Sequence, residues 1–465
     1  MKKNRVERYI YAAAELDKKF RTKVLDEIVY DKYRFIAPSH GINLVKLASH
    51  CLKARNRDLI MNIILLFIFC TSIVSTFREY GWYGVILFIP ILFTWPLIVA
   101  YIVHIIFYLY SYWIVLNKLS QNSVSKDNSN SILGIDNDTY QKLNNNQNEE
   151  ETNITYYGDY SPFVGAGIHL SGWSFVAETK LKNSDEYIYL NNSELYKYIE
   201  DRIKELQINS LRVDNQLYVD GRKIRGDSRF LNNDLSRPRK DVQIDFLKDN
   251  ESIDEDHIRF YKSVQVTAWE GDFVCSFFFR IRCTEQNLYI EMQNYILPPL
   301  KKSFEDIDKY GYGINLSIIG KAFIKSIIPS IFSLFKSPKN VYKFMKQILI
   351  IWLKKQKQTL NTKSNHAFNY GATQSIREMV ADNKFHNLLQ ESDAEMYQKQ
   401  IEQRLFQSVL EYLDMFHIDT TVFKARQETI VNHGIMITGG NVQAENISNQ
   451  TFSQKTQSKV KEVFS

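Results

Sequence analysis

Residues Leu59–Phe77 (LIMNIILLFIFCTSIVSTF) form a run of nineteen residues without a charge. At 1.5 Å rise per residue such a run spans a hydrocarbon core of about 30 Å, which marks it as a membrane helix. Six residues later a second uncharged run, Gly84–Leu116, continues for 33 residues. As one helix it would be roughly 50 Å long, more than one straight crossing needs and too short for two crossings with a turn. The sequence therefore predicts a single span that tilts or projects beyond the bilayer, with Pro90 and Pro96 as kinks. Trp82 and Tyr83 at one end, and Tyr108, Tyr110, Tyr112 and Trp113 at the other, suit the interfacial belts. A cleaved signal peptide does not fit, because the apolar run follows a long charged segment and no small-residue cleavage site comes after it. Lys46, Lys53, Arg55 and Arg57 precede the first run, whereas the loop between the runs offers only Arg78. Both termini and the bulk of the chain are thus expected in the cytoplasm.

Within the second span Thr94, Tyr101, His104, Tyr108 and Ser111 fall on one stripe at 100° per residue. Polar groups in a span rarely face lipid, since an unpaired one is costly there. Two readings stay open: helix packing within the hairpin or an oligomer, and the lining of a pore.

A mean hydropathy of -0.30 excludes a polytopic transporter, because most of the mass must lie in water. Four cysteines in 465 residues exclude a disulfide scaffold, and none forms a C-x-x-C pair. The formal net charge of +6 conceals two basic segments: residues 1–58 carry +7 and residues 301–363 carry +10. The remainder is acidic. Charge here reports which parts face a membrane.

The composition divides the chain further. Residues 1–57 read as a cytoplasmic basic helical segment, 58–117 as the two spans, and 118–155 as a disordered linker rich in Asn and Ser. From 156 to 300 the pattern is that of an α+β domain on an antiparallel sheet. Strands are expected at Trp173–Lys180, Ile258–Trp269, Phe273–Cys283 and Leu288–Ile296, a helix at Ser193–Leu206, and a hairpin turn at Asp220-Gly221. Val242–Phe246 also alternates as a strand would. Residues 301–363 read as Lys-rich amphipathic helices at a membrane surface, with no acidic residue between Lys309 and Arg377. Lysines at 321 and 325 argue against a third span, and a pair of solvated, core-packing helices is the alternative. Residues 364–433 read as a helical oligomerisation region with a capping box at Ser392–Glu395, and 434–465 as a β hairpin with a polar tail. The fold class is a membrane-anchored multidomain protein. It comprises an N-terminal helical segment and transmembrane hairpin, the cytoplasmic α+β domain, and a C-terminal helical region with a short β tail.

No motif for metal, phosphate-loop or nucleophile chemistry is present, so neither an enzyme nor a cofactor is expected. Gly165-Ala-Gly167-Ile-His-Leu-Ser-Gly172 departs from the dinucleotide fingerprint, which leaves a glycine-hinged turn or a ligand loop. The candidate ligand-binding residues are Arg212, Tyr218, Arg222, Lys223, Arg225, Arg229, Phe230, Arg237 and Arg239. Arginines clamp phosphates bidentately and aromatic rings stack on bases, the pairing used for single-stranded nucleic acid and nucleotides. A solvated basic face, or one attracted to the membrane, is the alternative.

Four segments, Tyr160–Phe175 (YSPFVGAGIHLSGWSF), His366–Glu378 (HAFNYGATQSIRE), Asp393–Leu405 and Ile418–Gly440, resemble a family of uncharacterised bacterial two-span membrane proteins. The layout as a whole resembles the membrane effector of Hailong-type anti-phage defence. That resemblance implies an oligomeric channel of the bacterial inner membrane, acting in anti-phage defence. Its cytoplasmic part would bind single-stranded DNA or a nucleotide made by a nucleotidyltransferase encoded nearby, and so control the channel. A non-conducting scaffold that binds a soluble partner through its C-terminal helices is the alternative.

Overall fold

The structure is a computed structural model that describes residues 5–83, 95–118, 152–243, 255–305, 307–308, 314–364 and 367–425. In chain order come α1 (Arg5–Leu16), α2 (Lys18–Leu25), α3 (Leu44–Tyr80) and α4 (Trp95–Trp113). Then follow β1 (Ile154–Tyr157), β2 (Ile168–Glu178), α5 (Asn192–Lys204), β3 (Leu211–Asp220), β4 (Ile258–Ala268), β5 (Phe273–Cys283) and β6 (Asn287–Leu297). The last elements are α6 (Lys302–Glu305), α7 (Leu316–Ser364), α8 (Ile376–Val380) and α9 (Leu388–Met415). These form two compact units. One holds Met1–Lys32, Gly41–Gln147 and Lys302–Asn365; the other holds Tyr33–His40, Asn148–Lys301 and His366–Ser465.

In the helical unit, α3 starts at Asn43, whose side chain accepts from Lys46 N, and runs unbroken for 37 residues. Its first third is a packing surface for α1 and α2. Tyr11 stacks on His50 at 5.1 Å, Glu15 takes Arg57 at 2.8 Å and His50 at 2.9 Å, and Arg21 pairs with Asp58. Beyond Asp58 the helix enters the uncharged run. Among the described residues, three helices are long and apolar enough to cross a membrane: α3, the stretch Trp95–Asn117, and Leu316–Lys343 of α7.

The third of these belongs to one helix where more than one was expected. Residues 316–364 are one helix of 49 residues with Pro329 and Pro338 inside it. It packs on both α3 and α4 through Ile318, Ala322, Ser326, Ser330, Leu334 and Ser337, a buried row spaced mainly by four. Small residues at that spacing let helix backbones approach closely without relying on hydrophobic burial. Leu334 meets Leu65, Ile68 and Ala100 there. Lysine spacing masked this in the sequence, because Lys321 and Lys325 interrupt the hydropathy without occupying the packing face.

The polar stripe of the second span acquires a partner the sequence did not suggest. Tyr101 Oη donates to the Phe323 carbonyl at 3.0 Å, and His104 Nε2 lies 2.6 Å from Ser333 Oγ. Tyr108 stacks on Tyr112 at 4.8 Å, and Ser111 Oγ donates to Phe107 O of its own helix at 2.8 Å. Thr94 lies outside the described residues. Packing within the chain therefore gives Tyr101 and His104 partners on α7.

The sheet unit is mixed rather than purely antiparallel, with strand order β1-β3-β4-β5-β6-β2. Strands β3 to β6 form an antiparallel meander, β2 pairs antiparallel with β6, and β1 pairs parallel with β3. One face is apolar and carries the core. Leu195, Tyr196, Ile199 and Ile203 of α5 pack on it beside Ile401, Leu405, Phe406 and Val409 of α9. Trp173 of β2 stacks on Phe406 at 4.6 Å. The apolar stripe of α9, expected as an oligomer seam, is thus spent inside the chain. That helix begins at Asn387, upstream of the expected capping box at Ser392; the box that forms is Ser375 with Glu378 on α8.

Asp220-Gly221 makes no hairpin. Gly221 N donates to Tyr157 O, and Tyr370 N donates to Gly221 O, both at 2.9 Å, so the turn is tied to β1 and to the segment 369–372. No strand includes Val242 or Gln243, and the rest of that expected strand lies outside the described residues, as do most of the linker and the whole 434–465 tail.

Eight residues from the presumed N-terminal helical segment, Tyr33–His40, belong to the sheet unit. Phe35 N donates to Tyr370 O at 2.7 Å, Phe35 and Ala37 enter the core, and the Phe35 ring meets Tyr156 at 5.2 Å. This strap leaves the sheet unit at His40, and α3 begins at Leu44.

Candidate ligand-binding site

Several arginines of the 212–240 stretch pair with carboxylates. Arg222 binds both oxygens of Asp220 at 2.9 Å, and Arg229 grips Asp227 and Glu255 together. Arg225 pairs with Asp234 at 3.3 Å, Arg212 pairs with Asp214, and Arg239 donates to Asn232 at 3.0 Å. Burial acts to raise the Asp220 carboxyl, but the Arg222 contacts outweigh it and hold the group below its ordinary value. Lys223 is exposed and Arg237 half-buried. Phe230 and Tyr218 are buried, at 0% and 4% exposure, so neither ring can stack on a base arriving from solvent. The ion pairs also tie the loop together. Asp214, Asp220 and Asp227 stand two positions from their arginines, and Glu255 lies 26 positions from Arg229.

A different constellation forms on the sheet's second face. There Tyr218 (β3), Tyr261 (β4), Phe278 (β5) and Tyr295 (β6) surround Phe163, whose ring lies 4.4 Å from Phe278 and 4.9–5.1 Å from the three tyrosines. Phe163 rides on the glycine loop before β2. Gly165 and Gly167 adopt φ of +97° and +92° there, a region that favours glycine. Their N–H groups both donate to Glu378 Oε1 at 2.9 Å, while Ser375 N donates to Glu378 Oε2 at 2.7 Å. One carboxylate therefore closes a capping box and pins the loop. Beside it Arg377, fully buried, donates to the carbonyls of Asp272 (2.7 Å) and Pro298 (2.9 Å). The glycine-hinged turn and the segment 369–378, quoted above for their resemblance, thus meet as two halves of a clasp.

Two cavities flank this loop. The first, of about 50 Å³, is roofed by Pro38 and His40 of the strap and by Val164–Ala166. Its floor is the polar face of the sheet: Arg212, Asp214 and Gln216 from β3, Ser263 and Gln265 from β4, with Tyr218 and Phe278 as walls. Such a volume holds a few waters or the edge of one ring. Ser263 Oγ is buried without a hydrogen-bond partner, which marks a place for a polar occupant. Burial, reinforced by the charges of Arg212 and Arg377, pushes the His40 imidazole down to about 4, so it is neutral at pH 7. Burial raises the Asp214 carboxyl, with Arg212 opposing. The second cavity is an open cleft of about 950 Å³ between Asp159–Ile168, Leu297–Lys301 and Thr373–Asn383. Its size is that of a small-molecule site.

Of the nine candidate ligand residues, Arg212 and Tyr218 line the smaller of these two cavities. The strap residues were missed because the sequence places them more than a hundred residues from the sheet. No group of three or more His, Cys, Asp and Glu that could hold a metal occurs among the described residues.

Fold and site together define an α+β unit with a polar cavity, joined to helices suited to a membrane. A family model for the AbeC-like domain matches residues 172–443, more than half of the chain, and the chain belongs to that family. The family is of the abortive-infection type and so suggests a role in phage defence. No curated protein and no solved structure matches the chain.

Proposed function

We propose that this chain is a phage-defence effector acting at the bacterial inner membrane, as an oligomeric ion channel gated by a ligand in its sheet unit. The observation that carries this reading is the strap. The small cavity is roofed by Pro38 and His40, and only three residues separate His40 from the first residue of α3, the first candidate span. A ligand that prefers one position of the strap thereby biases the helix that follows it, which is the differential affinity gating needs. A nucleotide or single-stranded DNA made by a neighbouring nucleotidyltransferase, as the Hailong-type layout implies, is the ligand this proposal carries. The exposed Arg222, Lys223 and Arg239 of the 212–240 loop are left for its phosphates, while the cavity admits the edge of one ring.

The test is expression with and without the nucleotidyltransferase, followed with a potential-sensitive dye. A collapse of potential that depends on the partner gene supports the channel. An unchanged potential in every combination, with phage protection intact, would instead favour a non-conducting scaffold.

A further inference from the structure

Lysines 321, 325, 336, 339, 343 and 346 of α7 fall within an arc of about 80° at 100° per residue. Ser326, Ser330, Leu334 and Ser337 of the row that packs on α3 and α4 lie on the far side of the helix, and all six lysines are exposed. Depth makes this unusual. Leu334 packs on Ile68, the central residue of the uncharged run 59–77, so Lys336 is level with the middle of the candidate span. Hydrocarbon around an ammonium at that depth is strongly disfavoured, and intramembrane cations face water or protein instead.

We infer that the lysine face of α7 lines a water-filled, anion-favouring path enclosed by further copies of this chain. The inference rests on the channel reading and adds its selectivity. Fixed charge along a narrow path sets which ion enters.

The experiment uses the full chain reconstituted in planar bilayers under a KCl gradient. A reversal potential on the chloride side is expected for the native protein and for Lys336→Arg. Lys325→Glu and Lys336→Glu should lower the chloride-to-potassium permeability ratio several-fold, and Lys336→Gln by less. Conductance that prefers potassium, or that ignores these substitutions, overturns the lysine-lined path and leaves the channel standing. Absence of any conductance from the folded, oligomeric native protein overturns both.

Discussion

Replacing Glu378 by alanine tests whether the clasp organises the candidate site. The side chain accepts from Gly165 N and Gly167 N at 2.9 Å each and from Ser375 N at 2.7 Å. A hydrogen bond to a charged group contributes about 1.5–3 kcal/mol, and the lower figure applies because Glu378 is only half-buried. Allowing for water reaching part of the released backbone, the loss is about 3–4 kcal/mol. For a unit of this size that lowers the melting temperature by roughly 6–16 °C. Glu378→Gln separates geometry from charge. Its carbonyl can still serve the two glycine N–H groups, but its NH₂ would face the Ser375 N–H, donor against donor, at a cost of about 1–2 kcal/mol. Thermal melting followed by tryptophan fluorescence reads both, with limited proteolysis reporting release of the loop. A Glu378→Ala protein that melts within about 2 °C of the native one and resists cleavage at 159–168 would show that the three bonds hold nothing, and the clasp argument fails.

Glycine 371 offers a sharper contrast. A Cβ there would sit 2.2 Å from Tyr157 C and O and 2.4 Å from Gly158 N, all backbone, so Gly371→Ala should detach the 369–372 segment from β1 and cost more than about 3 kcal/mol. Gly320→Ala, with nothing within 4 Å and a helical position, should be neutral or stabilise by up to about 1 kcal/mol; equal melting of the two variants would refute the contact. For His40 the folded value of about 4 lies below the free value near 6.5. Between those pH values the unfolded chain takes up a proton that the folded chain refuses, so stability falls as pH drops through that window, by up to about 3 kcal/mol. Urea melts from pH 7 to pH 4.5 should show the loss and His40→Asn should flatten it; identical pH profiles would place the imidazole in water.

Strand and helix positions in the sheet unit were legible because their signals are local. Phe273–Cys283 is apolar on one face and bounded by turn residues, and it appears as β5 with those same limits. Leu195, Ile199 and Ile203 announce the buried side of α5. The clasp was half legible: the glycines were visible as a hinge, but their anchor is a carboxylate 213 positions away from Gly165. Among the carboxylates that meet the basic residues between 212 and 240, Asp220 and Asp227 stand two positions from Arg222 and Arg229, whereas the fold brings Glu255 to Arg229 from 26 positions away.

What the sequence alone determined are properties that depend on runs and periods: two uncharged stretches of spanning length, a lysine-only segment free of acids, and an alternating domain between them. These follow from local solvation and hold wherever the rest of the chain goes. The tertiary structure alone decided which polar groups meet. It set Tyr101 and His104 against α7, took the strap Tyr33–His40 out of the helical segment to roof a cavity, and buried the stripe of α9 in the core. Those pairings join residues tens to hundreds of positions apart. No period encodes them, because each exists only when two distant surfaces have excluded water from the same place.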